Sequence, residues 1–171
     1  TLLADTRLVR VESLAGYVFV LVPWSGMRVL DVTDPWSPAE VDPPVAAVRD
    51  LATDGERAYL IAEPGLRVLG LDESGLLHEL GALDLIDDTG PYAALELPHS
   101  VQVAGGRAYL LDDFVGFTVV DVRDPAAVAR LTALPTDLER SGSDHRSLVA
   151  VGSYLYVLDG AGYRVLDATR A

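Results

Sequence analysis

The chain has 171 residues, half of them apolar, and carries 26 acidic against 13 basic side chains for a formal net charge of −13. That length supports one domain with a real core, and no apolar run reaches the roughly 18 residues of a membrane span. The acid excess argues against nucleic acid as a partner, since a basic patch supplies most of that affinity, and it favours a solvated surface that keeps copies apart.

Taken in order, the chain reads as one pattern used four times. In the first unit, Arg7–Val11 is a strand, Ala15-Gly16 a turn and Tyr17–Val22 a second strand. A loop with Pro23 and Gly26 then leads into Met27–Val32, and a weaker strand follows at Ala39–Asp42. The second unit repeats this with Val48–Ala52, the turn Asp54-Gly55, Ala58–Glu63, the loop Pro64-Gly65, Leu66–Leu71 and the outer strand Leu77–Leu80. The third has Ser100–Val103, Gly105-Gly106, Ala108–Asp113, Gly116, Phe117–Val122 and Val128–Leu131. The fourth has Ser147–Val151, Gly152-Ser153, Tyr154–Asp159, Gly160 and Gly162, then Tyr163–Ala168.

Each run is short, rich in Val, Leu and Tyr, and bounded by Gly, Pro or Asp, which is the composition of strands. Most runs are almost continuously apolar, as strands buried on both faces should be. Gly supplies positive φ and Pro presets φ in the turns between them. Two markers keep the same spacing. Phe19, Tyr59, Tyr109 and Tyr156 lie 40, 50 and 47 residues apart, and Val29, Val68, Val119 and Val165 lie 39, 51 and 46 apart. Four antiparallel strands per 40–50 residues, repeated, predict an all-β β-propeller of about four four-stranded blades. The repeats fall at approximately 6–46, 47–98, 99–144 and 145–171 of a single domain. Two arrangements remain open: a closed four-bladed ring, with residues 1–5 supplying the outer strand of the last blade, or part of a larger propeller.

The hairpin exits read Leu30-Asp-Val-Thr-Asp-Pro-Trp-Ser-Pro38 and Val120-Asp-Val-Arg-Asp-Pro-Ala-Ala-Val128, and Arg49-Asp50-Leu51 opens an inner strand. Together these resemble the repeat of the LVIVD family. The resemblance implies propeller blades and an extracellular, periplasmic or cell-surface setting. The second unit departs from it, with Asp72-Glu-Ser-Gly75 in place of Asp-Pro. The turn itself needs no family: Asp34 and Asp124 can accept backbone N–H bonds while Pro35 and Pro125 fix the next φ.

Catalytic chemistry leaves little trace. The chain has no Cys, so disulfides, thiolate metal sites and cysteine nucleophiles are all excluded. No Gly-x-Ser-x-Gly elbow, phosphate-cradling glycine loop or calcium-binding Asp loop is present. No cofactor and no metal are called for, and the three histidines, His78, His99 and His145, lack metal-ligand spacing. His78 falls in a variable outer strand and is expected to be exposed. Aligning the repeats places Arg49, His99 and Arg146 at one equivalent position just before the inner strands; with Asp50 they are the candidate ligand-binding residues, and the competing reading is that they solvate the entrance or pair with Asp50 and Asp144. In a propeller these positions converge at a channel mouth, which would suit an anion or a partner's carboxylate. Glu63, Asp112, Asp113 and Asp159 end the second strands and could balance the arginines there. Trp24 and Trp36 break the repeat; packing on the first blade is the leading reading, and an exposed contact patch is the alternative. The repeated tyrosines are read as core anchors.

The expected function is therefore a non-catalytic binding or scaffold module for a protein or small polymer. An enzyme or small-ligand site at the channel mouth, and a structural segment of a larger cell-surface repeat protein, are the alternatives.

Overall fold

The computed structural model describes residues 10–22, 26–43, 45, 47–85, 98–112, 116–134, 147–152, 154–159 and 162–167. Among these residues the chain is all-β, with four antiparallel sheets in sequence order. The first contains β1 (Arg10–Leu14), β2 (Tyr17–Val22), β3 (Gly26–Asp31) and β4 (Ala39–Val41). The second contains β5 (Asp50–Thr53), β6 (Ala58–Ala62), β7 (Gly65–Leu71) and β8 (Leu77–Asp84). The third contains β9 (Ser100–Ala104), β10 (Arg107–Asp112), β11 (Gly116–Asp121) and β12 (Ala129–Leu134). The fourth has three strands among the described residues, β13 (Ser147–Val151), β14 (Tyr154–Asp159) and β15 (Gly162–Asp167). Every sheet is a meander in which neighbours in sequence are neighbours in the ladder.

The predicted inner strand of the first sheet shifts from Arg7–Val11 to Arg10–Leu14. Burial sets the register: Leu14 is buried whereas Val11 is exposed, and Leu14 pairs with Tyr17 across the tight turn at Gly16. The outer strands β8 and β12 run longer than expected. Both carry a register shift at the same place, between Val68 and Val119 and the residues that follow them. A bulge of this kind absorbs one extra residue and bends the strand.

The sheets stack face on face through repeated side-chain positions. Phe19, Leu21 and Val29 of the first sheet pack on Ala58, Leu60 and Leu69 of the second. Tyr59, Ile61 and Val68 of the second pack on Ala108, Leu110 and Val120 of the third. Tyr109, Leu111 and Val119 of the third pack on Leu148, Leu155 and Val157 of the fourth. A large aromatic therefore points forward from the middle strand of each of the first three sheets, into a neighbouring face kept shallow by Ala or Leu. At roughly 25 cal/mol per Å² of apolar area, these interfaces are the main source of stability.

The Asp-Pro turns behave as the sequence predicts. Asp34 Oδ1 accepts the Trp36 N–H at 3.0 Å, and Asp124 Oδ1 accepts the Ala126 N–H at 2.9 Å. Asp124 caps a short 3₁₀ turn over Pro125–Ala127. In the second sheet, Asp72 Oδ1 takes N–H bonds from Ser74 and Leu76 at 2.8 and 2.9 Å, so a different sequence makes an equivalent turn. Three expectations fail. Trp36 is 95 % exposed on its turn and does not pack on the first blade, while Trp24 lies outside the described residues. His78 is half-buried rather than exposed, and its Nδ1 is buried without a partner among the described residues. Tyr154, Tyr156 and Tyr163 are exposed rather than core anchors.

Neighbouring sheets are also joined through their turns. The Tyr17 hydroxyl donates to the Gly75 carbonyl at 2.9 Å, and Arg57 Nη1 donates to the carbonyls of Val122 and Arg123 at 3.1 Å. The closest approach is at Gly81 in β8, where an added Cβ would sit 1.7 Å from the Pro125 carbonyl oxygen. Only a residue without a side chain fits against that backbone. Gly81→Ala should therefore part the second and third sheets and lower stability by about 1–3 kcal/mol, measured by urea denaturation. Unchanged stability would show that this contact is not fixed.

Candidate binding site at the inner-strand ends

The inner strands β1, β5, β9 and β13 lie side by side in that order, which gathers their first residues at one end of the stack. Counting back nine residues from Phe19, Tyr59, Tyr109 and Tyr156 gives Arg10, Asp50, Ser100 and Ser147, the first residues of those four strands. One step earlier come Arg49, His99 and Arg146.

Asp50 is the hub. Its carboxylate accepts Arg10 Nη1 from the first sheet at 3.1 and 3.3 Å, and the Val101 N–H from the third sheet at 2.8 Å. One side chain of the second sheet thus holds both neighbours. Arg10 Nε also reaches Glu12 Oε1 at 3.1 Å, and Thr53 Oγ1 donates to Glu12 Oε2 at 3.4 Å. Burial raises the Asp50 carboxyl above the ordinary aspartate range. Arg10, the N–H groups of Val101 and Leu51 and the Ser100 side chain pull it down without fully offsetting that.

The Arg49 and His99 backbones occupy equivalent places, their N–H groups donating to Ile61 O at 2.7 Å and Leu111 O at 2.9 Å. Arg49 does not pair with Asp50. Its Nη2 lies 3.6 Å from Glu63 Oε1, with the two side chains 44 % and 70 % exposed. Glu63 thus balances an arginine as its position at the end of the second strand suggests. Arg146, Asp113, Asp144 and His145 lie outside the described residues, as do residues 1–5, which were expected to close the last blade. Sequence reasoning missed Arg10 as the partner of Asp50. The common nine-residue spacing from the aromatic anchor was the signal that could have found it.

Tyr59, on the neighbouring middle strand, serves structure. Tyr59 donates its hydroxyl to Asp54 Oδ2 at 2.7 Å, and burial together with Asp54 pushes the phenol well above its ordinary value. Burial opposes charge on Asp54, but the Tyr59 hydroxyl and the Glu56 and Arg57 N–H groups hold its carboxyl below the usual range. Among the described residues, no group of three or more His, Asp or Glu side chains is placed to hold a metal ion. Among the described residues, no helix is long and apolar enough to cross a membrane.

Residues 10–42 and 98–131, the first and third sheets with their Asp-Pro turns, match the LVIVD repeat. Two of the four sheets carry LVIVD repeats. The four sheets together are also propeller-like in three dimensions. The N-terminal domain of Nup159 superposes with a TM-score of 0.51 at 11 % identity, over 96 % of this chain and 50 % of that one. PorZ is described as an essential bacterial surface component of the type-IX secretion system of Porphyromonas gingivalis. It gives a TM-score of 0.49 at 18 % identity, over 96 % of this chain and 23 % of that one. This chain thus spans half the length of the first and under a quarter of the second. No curated protein matches it in sequence.

Asp50 makes its role between the LVIVD blades measurable. A folded pKa above the unfolded one means that the native state holds the proton more tightly. The group therefore favours folding below the ordinary aspartate value of about 3.9, and this advantage is lost as pH rises through the raised value. Wild-type stability should accordingly fall relative to Asp50→Asn across that window, followed by denaturation at a series of pH values. Asp50→Ala leaves the buried Val101 N–H without its acceptor and should cost about 1–3 kcal/mol. An alanine variant as stable as wild type would remove Asp50 from this role.

Proposed function

We propose that the chain is a non-catalytic binding or scaffold module that meets an anionic group of a partner, such as a carboxylate, at the end of the stack where the inner strands begin. Arg49, His99 and Arg146 are the contact residues in this reading, and Asp50 holds the blades in register beneath them. The observation that carries it is the division of labour between neighbours: Asp50 is buried and committed to Arg10 and Val101, while Arg49 is left with one loose, exposed ion pair. Such a surface pair contributes about 0–1 kcal/mol, so a ligand carboxylate can replace Glu63 at little cost.

The fold belongs to this reading as an open array of LVIVD blades. Support comes from the exposed tyrosine face of the fourth sheet and from the half-length match to the Nup159 domain. The LVIVD resemblance alone supports an extracellular, periplasmic or cell-surface setting. Fold does not dictate function, so the binding reading stands on the site.

A short glutamate-rich peptide is a suitable probe, followed by calorimetry at low ionic strength, where surface charge acts most strongly. Wild type should bind it, and Arg49→Ala combined with His99→Ala should weaken binding at least about tenfold, or 1.4 kcal/mol, with the melting temperature unchanged. Equal affinity in the double variant, or no binding by wild type, would overturn the proposal.

A further inference from the structure

Arg49 and His99 belong to neighbouring sheets, the second and the third. Each immediately precedes the first residue of an inner strand, Asp50 of β5 and Ser100 of β9. Their backbones are held alike, each N–H donating to a carbonyl of its own middle strand, Ile61 O and Leu111 O. Residues at one ladder position carry their side chains in the same direction. The gap between the two strands is short. β5 and β9 approach to within 8 Å between Cα atoms. At the end that matters a single aspartate side chain bridges them, Asp50 Oδ2 accepting the Val101 N–H at 2.8 Å. Successive contact positions therefore stand one such step apart.

An extended peptide has a matching step. It rises about 3.3 Å per residue and its side chains alternate between faces, so residues two apart show their side chains on one face roughly 6.6 Å apart. On a helix, side chains that are neighbours on one face lie three or four apart in sequence. The spacing of acids in a ligand's sequence thus reports the conformation in which it is held.

The two contact residues differ in kind. Arg49 offers a fork of N–H donors that can take a carboxylate with two bonds, on release of Glu63, whose Oε1 lies 3.6 Å away. His99 is half-buried and offers a ring N–H for a single bond. A lone exposed pair is weak. Two pairs on one short ligand reinforce each other, because the second forms within a molecule already bound.

We infer that the partner of this site is an extended acidic peptide with carboxylates at alternate residues, laid across the inner-strand ends so that one carboxylate meets Arg49 and the next meets His99. The inference rests on the binding reading proposed above and adds to it the partner's conformation and charge spacing.

The experiment compares three seven-residue peptides of equal composition and charge by calorimetry: Thr-Thr-Glu-Thr-Glu-Thr-Thr, Thr-Thr-Glu-Glu-Thr-Thr-Thr and Thr-Glu-Thr-Thr-Thr-Glu-Thr. Threonine favours the extended backbone, and blocked ends add no further carboxylate. The alternating peptide should bind wild type at least about tenfold more tightly than either of the others. In His99→Ala, with the melting temperature unchanged, that preference should vanish and the three should bind alike. Equal binding of all three to wild type, lost in the Arg49→Ala and His99→Ala double variant, would overturn the spacing while leaving the site in place. A preference that survives His99→Ala would overturn it too, by putting the second contact elsewhere. No binding by any of the three would overturn the binding reading itself, and the inference with it.

Discussion

Everything in this molecule depends on one packing step: a bulky forward side chain from the middle of one sheet entering a shallow apolar face on the next. Phe19, Tyr59 and Tyr109 each perform it. The step requires a large residue at one position of the repeat and small or slender ones at another, such as Ala58 and Ala108. The tyrosine hydroxyls do not disturb this arrangement. Tyr59 turns its oxygen to Asp54 at the edge of the core, so the ring is buried and the polar tip is satisfied.

The polar contacts then fix how far one sheet can slide over the next. Asp50 ties three inner strands together at one end. Arg57 and Tyr17 bind carbonyls in the neighbouring turns, and Gly81 lets a proline carbonyl approach the backbone. Apolar burial is non-directional and sets no register. Hydrogen bonds from buried groups do, because a misplaced partner leaves a desolvated donor or acceptor. The same allocation holds at the candidate site, where the buried acid serves architecture while the adjacent arginine stays exposed beside Glu63.

Much of the fold was legible because each repeat carries its own signals. The hairpins β2–β3, β6–β7, β10–β11 and β14–β15 follow from apolar runs separated by Gly and Pro, and Asp34 and Asp124 behave as short polar side chains before Pro should. The start of β1 was not legible: both Arg7–Val11 and Arg10–Leu14 offer alternating residues, and only the burial of Leu14 separates them. The lengths of β8 and β12 were hidden because a bulge interrupts the alternation by which a strand is recognised. At the site, alignment put Arg49 and His99 at one repeat position, and their backbones make equivalent N–H bonds. It did not show that Asp50 reaches across to Arg10, since a long-range ion pair leaves no local pattern. The exposure of Tyr156 was illegible for another reason. Its segment reads like that of Tyr109, and burial is a property of what lies opposite, not of the strand itself.

Among the described residues, the principal contacts between sheets run between successive ones, which gives them the energetics of a one-dimensional stack. The second and third sheets are clasped on both faces, whereas the fourth is held on one. Cooperativity in such a stack is passed from neighbour to neighbour, so local opening is graded along it. Amide protons of β14 should then exchange by fraying of the last sheet, while those of β6 and β10 should wait for an event closer to global unfolding. How closely a described sheet is packed between neighbours is, in that sense, also how long it persists.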